Sequence, residues 1–270
     1  MPTAAAPLWP ARVENVSAAG RIIFVCEHAS NAFPPPFGSL GLTEAQRSAH
    51  IAWDPGALGL ARALAQRMDG LLVAAQVSRL IYDCNRPPHS AGAMAARSER
   101  HEILGNSALS AAERLQRVEA VYQPFHDSLR AQILRRLCLE QAPVIVTVHS
   151  FTPVFHGQHR AVEFGVIHDA DASFALAVVQ AARNWPLVTR LNEPYSAADE
   201  VTHTLALQAT PLGLTNVMLE LRNDLIATLP DQERLADSLA AILAQALDAL
   251  DPTGALDPTG ALAPTKTMTG

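Results

Sequence analysis

The hydrophobic pattern of this chain is built from short, nearly continuous apolar runs that each end on polar side chains. Such runs, rich in β-branched residues, are typical of strands that are buried on both faces of a parallel sheet. Because ligands bind beyond the carboxyl ends of such strands, the polar residues that follow them should converge on one site. Four runs show this pattern: Ile22–Cys26 before Glu27 and His28, Leu80–Tyr82 before Asp83–Arg86, Val144–Val148 before His149 and Ser150, and Val217–Leu219 before Glu220–Arg222.

Helix-forming segments alternate with these runs. A helix that starts after Ser110 should continue to about Glu140 and bend at Pro124, because proline removes a backbone hydrogen bond. A further strand is predicted near Phe164–Ile167. The alternation predicts an α/β fold with a mixed, mostly parallel central sheet flanked by helices. The predicted helix caps are Thr43 with Gln46, Asp54 with Pro55, Ser110 with Glu113, Asp171, and Asp231.

The two ends of the chain differ in composition from its middle. Residues 1–20 are rich in proline and alanine and are predicted to be an irregular lead-in. Residues 251–270 repeat Asp-Pro-Thr-Gly-Ala-Leu, which favours a flexible, low-complexity tail because little apolar surface is available for burial. We expect residues 21–250 to form a single domain, in which the polar stretch 87–106 is a long loop, either functional or disordered.

Composition and charge narrow the class of protein. The net charge of −6 is spread along the chain without a basic stripe, which argues against a nucleic-acid partner. No apolar run approaches the ~20 residues of a membrane span, and the N-terminus lacks the pattern of a signal peptide. Cys26, Cys84 and Cys138 lack Cys-x-x-Cys spacing, which indicates reduced thiols and a cytoplasmic protein. The expected partner is a small molecule. An amphipathic helix could also form the contact of a homo-oligomer, and no sequence feature identifies which helix would do so.

His28 and His149 are the natural metal pair, since each follows an apolar run whose end should face the crevice. Neutral imidazole suits zinc, and a catalytic zinc site takes three protein ligands and leaves one position open. The third ligand should be a carboxylate, and Asp54, Glu27 and Asn31 compete for that place. A hydrogen-bonded packing role is the alternative for each histidine.

Two further strand ends carry chemistry. Burial would raise the pKa of Glu220, which suits a general base that acts on metal-activated water. Asn85 and Arg86 suit a substrate carboxylate, because guanidinium offers a two-pronged donor and the amide adds a directional one. The alternatives are an ion pair of Glu220 with Arg222 or Arg86, and an arginine that only caps the loop. The sequence has no Gly-x-Ser-x-Gly, phosphate-loop or Gly-x-Gly-x-x-Gly motif, which disfavours serine hydrolases and nucleotide-binding proteins.

Seven segments together resemble the N-formylglutamate amidohydrolase family, in particular its shorter bacterial branch. They are VCEHASNAFP, HIAWDPGA, SRLIYDCNRP, YQPFHDSL, TVHSFTPV, NEPYSAADEVTHTL and NVMLELRNDLI, and they span residues from about 22 to 226. This family is similar to zinc carboxypeptidases and aspartoacylases, which implies a three-layer α/β fold and a fixed order of site elements. That order is a first histidine, an Asn-Arg pair, a second histidine and a late glutamate, which here are His28, Asn85 with Arg86, His149 and Glu220.

One position departs from the related pattern. Zinc carboxypeptidases supply their second ligand as His-x-x-Glu, whereas this chain has His28-Ala29-Ser30-Asn31. Asparagine is a poor zinc ligand. We therefore expect Asp54 to take this place, since it precedes a predicted helix and could face the crevice.

The resemblance implies a zinc-dependent amidohydrolase that converts N-formyl-L-glutamate and water to formate and L-glutamate. The alternatives are a related deacylase or carboxypeptidase-like hydrolase with another acyl group, and a metal-free binder of acidic amino acids. The expected roles are metal binding by His28, Asp54 and His149, proton transfer by Glu220, and carboxylate binding by Arg86 with Asn85. Further candidates for a second carboxylate or for oxyanion stabilisation are Arg79, Arg222, Tyr195 and His126. His126 lies in a predicted helix, which favours a packing or solvent-exposed role for it instead.

Overall fold

Residues 8–250 are described by the computed structural model of the chain. The strands are β1 (Arg12–Glu14), β2 (Ile22–Cys26), β3 (Leu71–Ala74), β4 (Arg97–Ser98), β5 (His101–Glu102), β6 (Val144–Phe151), β7 (Val154–Phe155), β8 (Gln158–His159), β9 (Phe164–Ile167), β10 (Thr189–Leu191) and β11 (Asn216–Arg222). The helices are α1 (Glu44–Ser48), α2 (Ala57–Arg67), α3 (Ala111–Arg117), α4 (Gln123–Cys138), α5 (Ser173–Ala181), α6 (His203–Gln208) and α7 (Leu229–Leu250). No helix of this part of the chain is long and apolar enough to cross a membrane.

Seven strands form the central sheet in the order β1-β3-β2-β6-β11-β9-β10. The four strands β3, β2, β6 and β11 run parallel to one another. β1 is antiparallel to β3, β9 is antiparallel to β11, and β10 is parallel to β9. The predicted mixed, mostly parallel sheet is therefore confirmed. The pairing of β6 with β11 places His149 directly opposite Glu220.

Helices cover both faces of this sheet. Successive side chains of each strand point to opposite faces and so belong to two separate cores. In β2, Ile22, Phe24 and Cys26 belong to one core, and Ile23 and Val25 belong to the other. Helices α2, α5 and α7 pack into the first core, whereas α4 and α6 pack into the second. Burial on both faces explains why the central strands are continuously apolar.

One of the four predicted strands is a turn. Leu80–Tyr82 lies in a turn outside the sheet, and β3 is the strand that pairs with β2. The hydroxyl of Ser78 fixes this turn by accepting from the Leu80 N–H at 3.2 Å and donating to the Ala52 carbonyl at 2.8 Å. The segment packs in the second core. Burial in a turn produces the same apolar composition as burial in a strand, which is why the prediction failed here.

Most predicted helix starts are confirmed. Thr43 and Ser110 form the capping boxes of α1 and α3. Asp171 accepts from the first backbone N–H of α5 at 2.9 Å. The long helix predicted after Ser110 consists of α3 and α4, which are joined by one π-helical stretch at Val118–Tyr122. This wider turn lies directly before Pro124, where the helix was predicted to be disturbed.

The helix start predicted at Asp54 is wrong. α2 begins at Ala57 after Gly56, whose φ of 82° lies in the left-handed region that favours glycine. A Cβ atom on Gly56 would lie 2.3 Å from the carbonyl oxygen of Ile226, so a larger residue would clash with the backbone. Because Gly56 makes the turn into the helix, the Asp54 side chain does not cap it and faces the strand ends instead.

Four other predictions concern the last helix, the two ends of the chain and the long loop. α7 begins at Leu229, so the cap predicted at Asp231 is wrong, and the Thr228 hydroxyl instead accepts from the Asp231 N–H at 3.3 Å. Strand β1 lies inside the predicted irregular lead-in, and the predicted loop 87–106 contains the hairpin β4–β5. The tail predicted at 251–270, like residues 1–7, lies outside the described residues.

Candidate active site

Three side chains that can bind a metal converge at the carboxyl ends of the central strands. Nδ1 of His149 lies 3.1 Å from Nδ1 of His28 and 2.9 Å from Oδ2 of Asp54, and His28 Nδ1 lies 3.1 Å from the same oxygen. All three residues are buried. His28 follows β2, His149 lies in β6, and Asp54 precedes α2. The structure thus brings together the three residues that the sequence predicted as metal ligands.

Each histidine also contacts an outer carboxylate through its other ring nitrogen. Nε2 of His28 lies 2.7 Å from Oδ1 of Asp83, and Nε2 of His149 lies 3.1 Å from Oε2 of Glu27. A carboxylate in this position keeps Nε2 protonated and leaves the Nδ1 lone pair for a metal. Although burial opposes the change, Glu27 and Asp54 raise the pKa of His149 well above its usual range. The site therefore favours positive charge.

The donor set fits a divalent metal ion. When both imidazoles are neutral and carry their proton on Nε2, the two Nδ1 lone pairs and the Asp54 oxygen point at one another within 3.1 Å. Three converging lone pairs repel one another unless a cation or additional protons compensate. Ligand atoms around a tetrahedral zinc ion lie about 3.3 Å apart when each bond is about 2.0 Å. The cluster could therefore hold a metal through two imidazoles and one carboxylate.

The other two residues considered as third ligand do not join this cluster. Glu27 lies on the Nε2 side of His149, away from the converging Nδ1 atoms. The side-chain amide of Asn31 donates to the carbonyl oxygen of Arg47 at 3.3 Å. Asp54 is the carboxylate that completes the cluster, as the sequence departure at Asn31 led us to expect.

Glu220 is the buried carboxylate beside the cluster. It lies opposite His149 in the sheet, it is 4% exposed, and it lines the same cavity. Its Oε2 atom has no hydrogen-bond partner within residues 8–250. Burial raises the pKa of Glu220 to about 7, an effect that His149 opposes and Asp54 reinforces. A carboxylate in this state can take up and release a proton near neutral pH.

Arg79 connects the inner and outer aspartates. Its Nη2 atom lies 2.5 Å from Oδ2 of Asp83, and its Nη1 atom lies 3.4 Å from Oδ1 of Asp54. Arg79 lines the cavity, but two carboxylates already share its guanidinium. It therefore orients the two aspartates, and a direct contact with substrate stays a prediction.

The Asn-Arg pair also lines the cavity, and its two members differ. Both polar atoms of the Asn85 amide are engaged, since Nδ2 donates to the Val201 carbonyl and Oδ1 accepts from the Thr204 N–H at 3.0 Å. Asn85 thus holds a neighbouring segment in place, and its contact with substrate stays a prediction. Nη1 of Arg86 donates to the carbonyls of Asn85 and Glu200 at 2.9 and 2.8 Å. This leaves Nη2 and Nε of an oriented guanidinium for a carboxylate.

Tyr195 lines the cavity as well. Its hydroxyl accepts from Nη1 of Arg160 at 2.9 Å, and the Arg160 guanidinium lies 4.9 Å from its ring centre. Burial raises the pKa of Tyr195, so the hydroxyl keeps its proton at neutral pH. Because the hydroxyl oxygen accepts from Arg160, its own proton remains to be donated.

Two residues predicted to bind substrate are engaged elsewhere. Arg222 pairs with Glu163 at 3.2 Å and with Asp224 at 2.8 Å, so its charge is already neutralised. Nε2 of His126 donates to a backbone carbonyl at 2.9 Å, and Nδ1 lies 3.2 Å from Nε2 of Gln208. Burial lowers the pKa of His126 to about 4, so it is a neutral packing residue. Neither side chain lines the cavity, because partners distant in the sequence occupy both of them, and their contact with substrate stays a prediction.

A cavity of 390 Å³ lies in front of the metal-binding cluster. Its lining includes His28, Asp54, His149, Glu220, Arg79, Asn85, Arg86 and Tyr195. Its volume lies near the lower end of small-molecule sites, which are about 300–1,000 Å³. His50, Asp83, Arg97 and Glu99 also line its wall, and no motif in the sequence predicted a role for them there. Arg97 and Glu99 belong to the polar stretch 87–106, and the length and composition of that stretch were the only indication of their importance.

Replacing Glu27 with glutamine should weaken zinc binding about 10–100-fold, because an amide no longer holds a negative charge against Nε2 of His149. Competition with a chromophoric zinc chelator measures this change. Glu14→Gln is a matched control, since Glu14 pairs with Arg62 at 2.7 Å and does not line the cavity. Equal zinc affinity in the two variants would remove Glu27 from the metal site.

A mixed α/β sheet that gathers two histidines, an aspartate and a buried glutamate at its strand ends is the architecture of a hydrolase that activates water. The model of the N-formylglutamate amidohydrolase family matches residues 20–227. The chain therefore belongs to the N-formylglutamate amidohydrolase family and is an amidohydrolase.

Two solved structures have a fold similar to that of this chain. The gene product Atu2144 of Agrobacterium tumefaciens is 46% identical, with a TM-score of 0.89 over 90% of this chain and 96% of that one. The N-formylglutamate amidohydrolase of Ralstonia eutropha JMP134 is 16% identical, with a TM-score of 0.61 over 89% of this chain and 98% of that one, and this likeness shows the shared fold. Among curated proteins, none matches this chain.

Proposed function

We propose that this amidohydrolase cleaves the N-formyl amide of an acidic amino acid, converting N-formyl-L-glutamate and water to formate and L-glutamate. The observation that carries the proposal is the position of Glu220, a buried carboxylate with an unpaired oxygen beside the metal-binding cluster. The same cavity holds Arg86 and is small, as suits a formyl group and a glutamate body. The substrate itself is the one for which the family is named.

The cluster supports zinc as the cofactor. Two imidazoles and one carboxylate form a common ligand set of catalytic zinc sites, which keep a further position open. Bound there, zinc supplies Lewis-acid polarisation of the formyl carbonyl and makes water more acidic. Asp83 and Glu27 hold His28 and His149 in the tautomer that this role requires.

Glu220 moves the proton. Its carboxylate takes a proton from the attacking water while the water oxygen forms the new bond to the formyl carbon. The C–N bond then breaks, and Glu220 passes the proton to the leaving amine, so that the carboxylate is regenerated. A pKa near 7 suits both the uptake and the release.

Arg86 and Tyr195 act on the substrate. The guanidinium of Arg86 is held by two carbonyls and presents its remaining N–H groups to a carboxylate. The Tyr195 hydroxyl can donate to the formyl oxygen as that oxygen gains negative charge.

Metal content and formate release test the proposed function together. Purified protein should contain stoichiometric zinc and release formate from N-formyl-L-glutamate. Zinc without turnover of formyl amino acids, but with turnover of N-acetyl amino acids, would point to a deacylase with another acyl group. Protein that binds glutamate but neither zinc nor any acyl substrate would be a metal-free binder. The complete His28–Asp54–His149 cluster favours the enzyme.

The acid side of the pH profile should report Glu220. Its carboxyl must be ionised to accept a proton, so kcat/KM should rise with pH through an apparent pKa at or below about 7, since a bound cation lowers the pKa of a nearby carboxyl. Initial rates of formate release between pH 5 and pH 9 measure the profile. A profile that falls as pH rises through neutrality would contradict a general base at this position.

A further inference from the structure

The carboxylates and the guanidinium groups that line the cavity are not paired one to one. Each carboxylate other than Glu220 already accepts a hydrogen bond or pairs with a cationic side chain, whereas two guanidinium groups lack a carboxylate. Asp54 and Asp83 share Arg79 and the cluster histidines, Glu99 lies 3.3 Å from His50, and Asp199 accepts from the Ser196 N–H at 2.8 Å. The two guanidinium groups, unpaired with any carboxylate of residues 8–250, are Arg86 and Arg97.

Arg97 offers the more complete donor set of the two. It lies in β4 on the cavity wall, and its Nε donates to the carbonyl of Glu99 at 3.2 Å. Its Nη1 and Nη2 atoms have no partner in the part of the chain that is described. The two outer nitrogens of a guanidinium are the pair that binds a carboxylate through parallel hydrogen bonds.

The hairpin that carries Arg97 is held in place from both sides. Oε1 of Glu99 accepts from the His156 N–H at 3.3 Å, and its Oε2 lies 3.3 Å from Nε2 of His50. The ring of His101 lies 3.1 Å from the amide nitrogen of Gln46. Glu99 has a φ of 51°, a left-handed conformation that is strained for glutamate and that these contacts offset. The hairpin backbone that carries the exposed side chain of Arg97 is therefore fixed before substrate arrives.

We propose that Arg97 is a specificity-determining residue. It binds the side-chain carboxylate of a dicarboxylic N-acyl amino acid, while Arg86 binds the α-carboxylate. This inference rests on the proposed function, because it assigns a binding partner to each carboxylate of N-formylglutamate. Two guanidinium groups without carboxylate partners match a substrate with two negative charges. A substrate with one carboxylate would leave Arg97 unpaired in the cavity.

The test compares two substrates of nearly equal size. For Arg97→Gln, kcat/KM for N-formyl-L-glutamate should fall about 10–100-fold, chiefly through KM, because charged hydrogen bonds are lost. For N-formyl-L-glutamine, which lacks the second charge, kcat/KM of the variant should equal that of the wild type. Arg97→Lys should lie between wild type and Arg97→Gln for the acidic substrate, since it keeps the charge without the fork.

Arg100→Gln is the matched control, because Arg100 lies in the same hairpin but does not line the cavity. It should leave both substrates unchanged. An equal loss for both substrates in Arg97→Gln, or no loss for either, would overturn the inference.

A direct binding measurement separates failure of this inference from failure of the proposed function. If the wild type releases formate from neither substrate, the proposed function fails. Calorimetry on the zinc-loaded protein then compares glutarate, which has two carboxylates, with butyrate, which has one. Preferential binding of glutarate that Arg97→Gln abolishes supports the subsite, and equal affinity of wild type and variant for glutarate overturns it.

Discussion

Replacing Glu220 with glutamine should lower kcat for formate release about 10²–10⁴-fold, the range that a positioned general base contributes. Glutamine has nearly the same shape but cannot accept the proton of the attacking water. KM should change little, because the proposed carboxylate contacts lie on Arg86 and Arg97. Zinc affinity should be retained, since Glu220 is not one of the three converging ligands. Initial rates measured beside a chelator competition separate these effects, and unchanged kcat would remove Glu220 from the mechanism.

The same variant allows folding to be checked. Burial raises the pKa of Glu220 to about 7, so the metal-free native state holds a proton there that the unfolded chain releases at lower pH. The carboxyl therefore costs stability progressively as pH rises from the ordinary carboxyl pKa of 4.5 to about 7, the full cost is present at pH 8, and glutamine avoids it. Thermal melting of metal-free Glu220→Gln at pH 8 should occur at the same or a higher temperature than for wild type. A lower kcat in this variant cannot then be ascribed to unfolding.

The parts of the site that could be predicted from sequence lie at the ends of buried strands. His28 follows β2, and His149 and Glu220 lie in β6 and β11, whose apolar residues are continuous because both faces are covered. Strand order was not visible in the sequence, yet the parallel register between β6 and β11 is what places His149 beside Glu220. The hydrophobic pattern predicted these strands, but only their pairing brings His149 and Glu220 together.

The two predicted substrate-binding residues that lie outside the cavity, Arg222 and His126, have partners far along the chain. Nothing near Arg222 in sequence shows that Glu163 would share its charge, and nothing near His126 shows that Gln208 would hold its ring. Arg97 was not predicted for the same reason. It lines the cavity and has no carboxylate partner among the described residues, and both properties depend on how the hairpin packs. Local patterns identify side chains that can act, and only packing shows which of them remain available.

Asp54→Asn should have the largest effect on the metal site. Oδ2 of Asp54 is the oxygen that contacts both converging nitrogens, at 3.1 and 2.9 Å. An amide keeps the shape but removes the charge that would balance a divalent ion. Loss of an outer partner of a ligand lowers metal affinity by up to about 100-fold. Loss of the ligand Asp54 itself should therefore lower zinc affinity by more than that. Formate release at limiting zinc should fall in parallel, and chelator competition gives the affinity directly.

Excess zinc should restore part of the activity of Asp54→Asn. Asp83 and Glu27 still hold the rings of His28 and His149, so two of the three ligands keep their orientation. Failure of any zinc concentration to restore turnover, in a variant that melts like the wild type, would show that Asp54 does more than bind metal.

A second substitution determines whether Asp54 is the third ligand. Asn31 lies three positions after His28, but its side chain donates to the carbonyl of Arg47 and is absent from the cluster. Adding Asn31→Asp to Asp54→Asn should therefore leave zinc affinity as low as in Asp54→Asn alone. Recovery of tight binding in the double variant would transfer the third ligand to position 31. No recovery would leave Asp54, which precedes α2, as the third ligand.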